Sequence, residues 1–73
     1  MVKKIAIPIY EIRLRGLLGG TLLSAFPTLT GATIDADTIL SGELADQAAL
    51  HGVLSLIESL GLELLAVQQV GRT

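Results

Sequence analysis

Residues 38–60 give the clearest indication of the fold and read Thr-Ile-Leu-Ser-Gly-Glu-Leu-Ala-Asp-Gln-Ala-Ala-Leu-His-Gly-Val-Leu-Ser-Leu-Ile-Glu-Ser-Leu. Its β-branched beginning predicts a short strand that ends at Gly42. Asp46 offers an N-cap carboxylate to a helix that continues to about Leu60, and Gly61 is suited to cap its C-terminus. Apolar residues recur along this helix at helical spacing: Leu50, Val53, Leu54, Ile57 and Leu60.

The chain before this stretch begins with a second strand pattern. Tyr10 to Arg15 alternates apolar and charged residues, which is typical of a half-buried strand. Full pairing is expected only after Pro8, which lacks an N–H, and residues 5–7 are expected to form an arm or an edge extension. Leu17 to Phe26 predicts a short helix of fewer than three turns, because Gly19 and Gly20 weaken its start.

Two further strands complete the order of elements. Residues 29–34 and 38–42 flank Asp35-Ala36-Asp37 and predict a hairpin, in which the two aspartates make the turn. Residues 64–70 predict the last strand. The order strand, helix, strand, strand, helix, strand predicts a single α+β domain over residues 1–73, with a ferredoxin-like arrangement in which both helices cover one face of an antiparallel sheet. A reduced form with three strands is the alternative.

The composition indicates self-association. About half of the 73 residues are apolar (51%) and only 16% are charged, whereas an average soluble domain has about 25% charged residues. A domain of this size has a marginal core, and it is usually supplemented by disulfides, metals or association. The chain has no cysteine and one histidine, so we expect no disulfide, metal site or cofactor. We expect a homo-oligomer, with a further protein partner as a possibility.

Other classes of partner are not expected. The net charge is −2 and only Tyr10 and Phe26 are aromatic, whereas nucleic-acid binding usually needs a basic face and stacking side chains. The uncharged run from residue 16 to residue 34 contains Pro27 and several glycines, so we do not interpret it as a membrane span. The first residues lack a signal-peptide pattern, and we expect a cytoplasmic protein.

Four segments resemble a group of short bacterial hypothetical proteins. They are Tyr10-Glu11-Ile12-Arg13, Thr38-Ile39-Leu40-Ser41-Gly42, Asp46-Gln47-Ala48-Ala49-Leu50-His51-Gly52 and Leu60-Gly61-Leu62-Glu63-Leu64-Leu65. The resemblance implies a small α+β fold and no particular activity.

The candidate ligand-binding residues lie on the predicted sheet and on the second helix. Arg13 and Arg15 would lie in the middle of the uncovered sheet face, with Gln68 beside them, and arginine forks bind carboxylates and phosphates in two-point fashion. His51 is the one histidine of the chain and is the candidate for a general base or a ligand contact. The alternative interpretations are a solvated strand face or a sheet-on-sheet dimer for the arginines, and a hydrogen-bonded or interfacial histidine for His51.

The candidate interface residues are mostly small. They are Ala48, Ala49, Gly52 and Leu56 on the second helix and Ala66 on the last strand. Small side chains permit close helix packing, either across an interface or over the sheet of the same subunit. No residue is assigned a catalytic role. The leading hypothesis is therefore a non-enzymatic homo-oligomeric interaction module. The alternatives are an anion-binding regulatory domain and an enzyme with a cleft around His51.

Overall fold

The computed structural model describes residues 6–73. Its elements are β1 (Pro8–Arg15), α1 (Gly20–Leu23), β2 (Thr30–Ile34), β3 (Asp37–Glu43), α2 (Gln47–Ser59) and β4 (Leu64–Arg72). The prediction of an α+β domain with this order of elements is confirmed.

The four strands form one antiparallel sheet in the order β2-β3-β1-β4. β1 is central: Ile12 pairs with Leu40 of β3 on one side and with Val67 of β4 on the other. Pro8 pairs with Arg72 of β4 but with no residue of β3, and pairing on both sides of β1 begins at Ile9, so the prediction that full pairing starts after Pro8 is confirmed. Ile7 also exchanges two backbone hydrogen bonds with Thr73, which extends the ladder, while residue 5 of the predicted arm lies outside the described residues.

The first helix is shorter than the predicted span of residues 17–26. α1 has four residues, and Gly19 supplies no side-chain cap at its N-terminus. Two adjacent glycines at the start of a helix disfavour its nucleation, and this accounts for the single turn. The apolar residues of the segment nevertheless reach the core: Phe26 is buried, and Leu18 and Leu23 pack against the core cluster.

The second helix forms as predicted. The Asp46 carboxylate accepts a hydrogen bond from the Ala49 N–H at 2.8 Å, so it is the N-cap. Gly61 has a φ of +74°, the left-handed conformation that suits glycine after a helix. Leu50 and Ile57 are buried and Val53 and Leu54 pack beside them. Leu60, predicted to continue this stripe, is exposed because the helix ends at Ser59.

The core lies on the side of the sheet that faces the helices. Its buried members are Ile12, Leu14, Phe26, Leu40, Leu44, Leu50 and Ile57. Because side chains alternate along a strand, the residues between them point to the opposite side, which neither described helix covers. We call this side the bare face, and it comprises Glu11, Arg13, Arg15, Thr30, Ala32, Ile34, Asp37, Ile39, Ser41, Ala66 and Gln68.

Two glycines allow the chain between α1 and β2 to pack closely on the helix side of the sheet. A Cβ atom at Gly31 would lie 2.8 Å from Leu23 Cδ2, and one at Gly42 would lie 2.9 Å from the backbone oxygen of Thr28. The absence of a side chain at these positions therefore allows the segment to pack directly on β2 and β3. Neither helix within residues 6–73 has the length and hydrophobicity that a membrane span requires.

Candidate functional site

Arg13 is bound to a carboxylate of the next strand. Its Nε atom donates a hydrogen bond to Asp37 Oδ2 at 3.0 Å, and its Nη2 atom lies 2.8 Å from the same oxygen. Asp37 Oδ1 also accepts a hydrogen bond from the Gly16 N–H at 3.3 Å. The hydrogen bond from Arg13 lowers the pKa of the Asp37 carboxyl below its usual value; partial burial opposes the shift and the Gly16 N–H adds to it. Asp37 is thus more than the turn residue that the sequence indicates.

Arg15 has a carboxylate partner as well. Its Nε atom lies 3.1 Å from Glu63 Oε2, and both side chains are largely exposed, so the pair contributes little to stability. Asp35, at the tip of the hairpin, is 3.9 Å from Arg13 Nη2 and 87% exposed. The two arginines therefore lie on the same face, as predicted, and both guanidinium groups contact acidic side chains of the chain itself.

The two β4 residues named from the sequence lie beside these arginines. Ala66 pairs with Arg13, and Gln68 pairs with Glu11. Both are exposed on the bare face. The structure therefore brings together three of the four predicted ligand contacts, Arg13, Arg15 and Gln68.

His51 lies apart from this group. It is exposed on α2, and α2 packs on the opposite side of the sheet from the arginines. Gln47, Ser55 and Glu58, on the same helical stripe, are exposed as well. Within residues 6–73, the His51 side chain has no hydrogen bond or ion pair. The structure does not bring His51 together with the other predicted ligand-binding residues, and its neighbours on α2 include Ala48 and Gly52 of the predicted interface.

The predicted interface residues of α2 divide into two groups. Ala49 and Leu56 pack against the core of their own subunit. Ala48 and Gly52 are exposed, and a Cβ atom at Gly52 would meet nothing within 4 Å. Only Ala48 and Gly52 of this set offer free surface on the helix.

Four of the six large apolar side chains that are exposed within residues 6–73 lie on the two outer strands of the sheet; the other two, Leu17 (65% exposed) and Leu60, lie in loops. Ile34 of β2 is 47% exposed and Val70 of β4 is 49% exposed, and Leu64 and Leu65 of β4 are exposed as well. All five residues of β2 are exposed. This surface was not predicted from the sequence, since the β-branched pattern of β2 does not show whether a strand lies at the centre or at the edge of a sheet.

The structural role of Thr38 was also not predicted from the sequence. It is only 4% exposed, and its Oγ1 atom accepts a hydrogen bond from the Leu18 N–H at 3.0 Å and donates one to the Gly16 carbonyl oxygen at 2.7 Å. The hydroxyl fixes the loop between β1 and α1 to β3. The available signal was a polar residue at a position which, by the alternation of β3, falls on the core side.

The described part of the chain contains no pocket and no group of three or more potential metal ligands. The fold and this surface define a small α+β domain with an open antiparallel sheet and apolar side chains exposed at both edges. The chain belongs to the family described as "Domain of unknown function (DUF8691)", which matches residues 9–68. Neither the curated proteins nor the solved structures include a significant match.

Proposed function

We propose that the chain is a small non-enzymatic interaction module that assembles with copies of itself through its sheet. The observation that carries the proposal is the exposure of Ile34 on β2 and of Leu64, Leu65 and Val70 on β4. These side chains lie at the two opposite edges of the sheet, and open sheet edges with apolar side chains are sites at which another chain can add.

The small core supports the same function. Within the described residues, seven buried apolar residues form the core, and an eighth, Ile39, is buried on the bare face. A core of this size is marginal for a small domain. A chain of 73 residues without disulfides therefore benefits from apolar area buried against a second copy.

We also propose a ferredoxin-like arrangement of the fold. The order of elements and the sheet order β2-β3-β1-β4 support it; the sheet has four strands, so the three-stranded alternative is wrong, and α1 is shortened to one turn. We further propose a cytoplasmic bacterial protein. This rests on the sequence patterns described above.

The anion-binding alternative requires an exchange of partners at the arginines. An anion would compete with Asp37 for Arg13 and with Glu63 for Arg15. The contact with Glu63 is exposed and weak, so Arg15 is the more accessible of the two. For an enzyme built around His51, a second subunit would have to supply the other groups of the site.

Oligomeric state is the direct test of the proposal. Native mass spectrometry and sedimentation equilibrium, run from about 1 to 200 μM protein, a range that spans affinities typical of small interfaces, should show a dimer or a higher oligomer. A monodisperse monomer throughout this range would reject the proposal. A stoichiometric additional mass on the purified protein would favour the anion-binding alternative, and Arg15→Gln should then remove that mass.

A further inference from the structure

We infer that the subunits of this module pair edge to edge through β2, with two β2 strands running antiparallel about a two-fold axis at Ala32. This inference rests on the proposed self-association and specifies its geometry. The second copy continues the sheet of the first, so that two four-stranded sheets become one sheet of twice the width.

β2 has the properties of an open strand edge. Its only partner within residues 6–73 is β3, and the register between the two strands is unbroken from Thr30 to Ile34. In an antiparallel ladder, alternate residues direct their N–H and C=O groups away from the existing partner. All five residues of β2 are exposed, and a strand edge with free N–H and C=O groups is a template for another strand.

The residues of β2 contain none of the usual protections against pairing. Proteins protect exposed edges with charged side chains, proline or β-bulges. The sequence of β2 is Thr-Gly-Ala-Thr-Ile, which has no charge and no proline, and its pairing with β3 contains no bulge.

The opposite edge provides an internal comparison. The pairing of β4 with β1 shifts register twice, and the shifts leave Leu65 and Val70 without a partner in β1. Bulges bend a strand and interrupt the regular series of outward groups. β4 therefore has a device that discourages strand addition, and β2 does not.

The uncharged sequence of β2 suits a second copy as the occupant. Each chain has a net charge of −2, so two copies repel one another overall, and a junction without charged residues adds nothing to that repulsion. Antiparallel pairing about Ala32 opposes only uncharged residues: Thr30 meets Ile34, Gly31 meets Thr33, and Ala32 meets Ala32. The Asp35 carboxylates at the two hairpin tips fall at opposite ends of the junction, and a two-fold axis makes the contact self-complementary.

The size of the contact sets the expected affinity. A standard interface uses about 20–30 residues from each partner, whereas this junction uses the five residues of β2 and their immediate neighbours. Ile34, 47% exposed in the single chain, would be covered by Thr30 and Ala32 of the second copy. We expect a reversible dimer with a Kd in the micromolar range.

Cysteine cross-linking tests the antiparallel pairing of two β2 strands. The chain has no native cysteine, so a single introduced cysteine can form a disulfide only with its copy in a second chain. Directly opposed residues of antiparallel strands have Cα atoms about 4.5–5.5 Å apart, which a disulfide can span. Ala32→Cys should therefore form a covalent dimer under mild oxidation. Ala36→Cys, at the exposed hairpin tip, is the matched control, since the two tips would lie roughly 25 Å apart and should not cross-link.

A charge variant tests the same contact without oxidation. Ala32→Lys would place two like charges directly opposite each other at the axis, which destabilises strand pairing, and the Kd of the dimer should rise at least tenfold. Gln68→Lys, on the bare face of β4, should leave the Kd within about twofold. Circular dichroism identifies any variant that does not fold, and the other variant then decides.

The outcomes separate this inference from the proposed function. Cross-linking of Ala32→Cys together with weakening by Ala32→Lys supports β2 pairing. An oligomer that is insensitive to Ala32→Lys, or that cross-links through Gln68→Cys instead, overturns the inference and leaves self-association in place. A monomer at all concentrations rejects both.

Discussion

Arg13 and Asp37 join the central strand of the sheet to the start of its neighbour, with Arg13 Nη2 only 2.8 Å from Asp37 Oδ2. The Arg13 side chain reaches diagonally, because Asp37 itself pairs with Arg15 in the register of the strands. The hairpin turn and the centre of the bare face are therefore held together by one carboxylate.

The pH dependence of stability should report this contact. The Arg13 hydrogen bond lowers the pKa of Asp37 in the folded state, so the ionised carboxylate stabilises the fold above its ordinary pKa of about 3.9. That contribution is lost as the pH falls through the lower, folded-state pKa. Asp37→Asn should make the protein less stable at neutral pH and should reduce the loss of stability on acidification.

Urea unfolding at fixed protein concentration across a pH series measures this difference. Asp35→Asn is the control, since Asp35 is 87% exposed and 3.9 Å from Arg13, and its curve should follow that of the parent protein. If the free energy of unfolding varied with pH in the same way for Asp37→Asn and for the parent protein, the pKa of Asp37 would be the same in the folded and unfolded states.

The buried hydroxyl of Thr38 gives a second prediction. Thr38→Val keeps the shape of the side chain but leaves the Gly16 carbonyl and the Leu18 N–H without their partner. We expect a loss of about 1–3 kcal/mol in the free energy of unfolding. Thr33, which pairs with Thr38 from β2 and is exposed, is the control; Thr33→Val should change stability by less than about 0.5 kcal/mol. Equal effects of the two substitutions would contradict the role of the buried hydroxyl.

Two glycines should respond to alanine in opposite directions. Gly42→Ala would place a Cβ atom 2.9 Å from the Thr28 backbone oxygen, and the required shift should cost about 1–3 kcal/mol. Gly52→Ala meets nothing within 4 Å and should stabilise α2 by up to about 1 kcal/mol. Chemical denaturation measures both.

The Gly52 variant also tests the predicted helix interface. If Ala48 and Gly52 formed a close contact between subunits, the added methyl group of Gly52→Ala would weaken the oligomer. Unchanged self-association of a stabilised Gly52→Ala protein would place the interface elsewhere.

The N-cap of α2 provides a further measurable effect. Asp46→Ala removes the acceptor of the Ala49 N–H and should lower the free energy of unfolding by about 1 kcal/mol. Asp46→Asn retains an oxygen acceptor and should lose much less. If both variants lost the same amount, the effect would arise from the charge of Asp46 and not from its hydrogen bond.

The elements that could be predicted are those with strong local signals. Asp46 and Gly61 define the ends of α2 by capping chemistry, and the alternation of Tyr10 to Arg15 identifies β1 and its two faces. These features depend on residues close together in the chain. Local sequence therefore predicts them well.

The features that escaped prediction depend on residues far apart in the chain. The exposure of β2 follows from its place at the edge of the sheet, and the contact of Arg13 with Asp37 follows from the register of β1 against β3. Similarly, the role of Thr38 requires the loop at Gly16 to lie against β3. Local sequence patterns identify strands one at a time, and they do not show how distant strands are aligned with one another in the sheet.

The central position of β1 has a consequence for the synthesis of the protein. Its two partners, β3 and β4, lie later in the chain, and β4 comes last of all the described elements. During translation, β1 leaves the ribosome before both of its partners, and its edge toward β4 stays unpaired until the last strand has emerged. We therefore expect the nascent chain to complete its sheet only in a late step, since contacts between such distant segments form slowly.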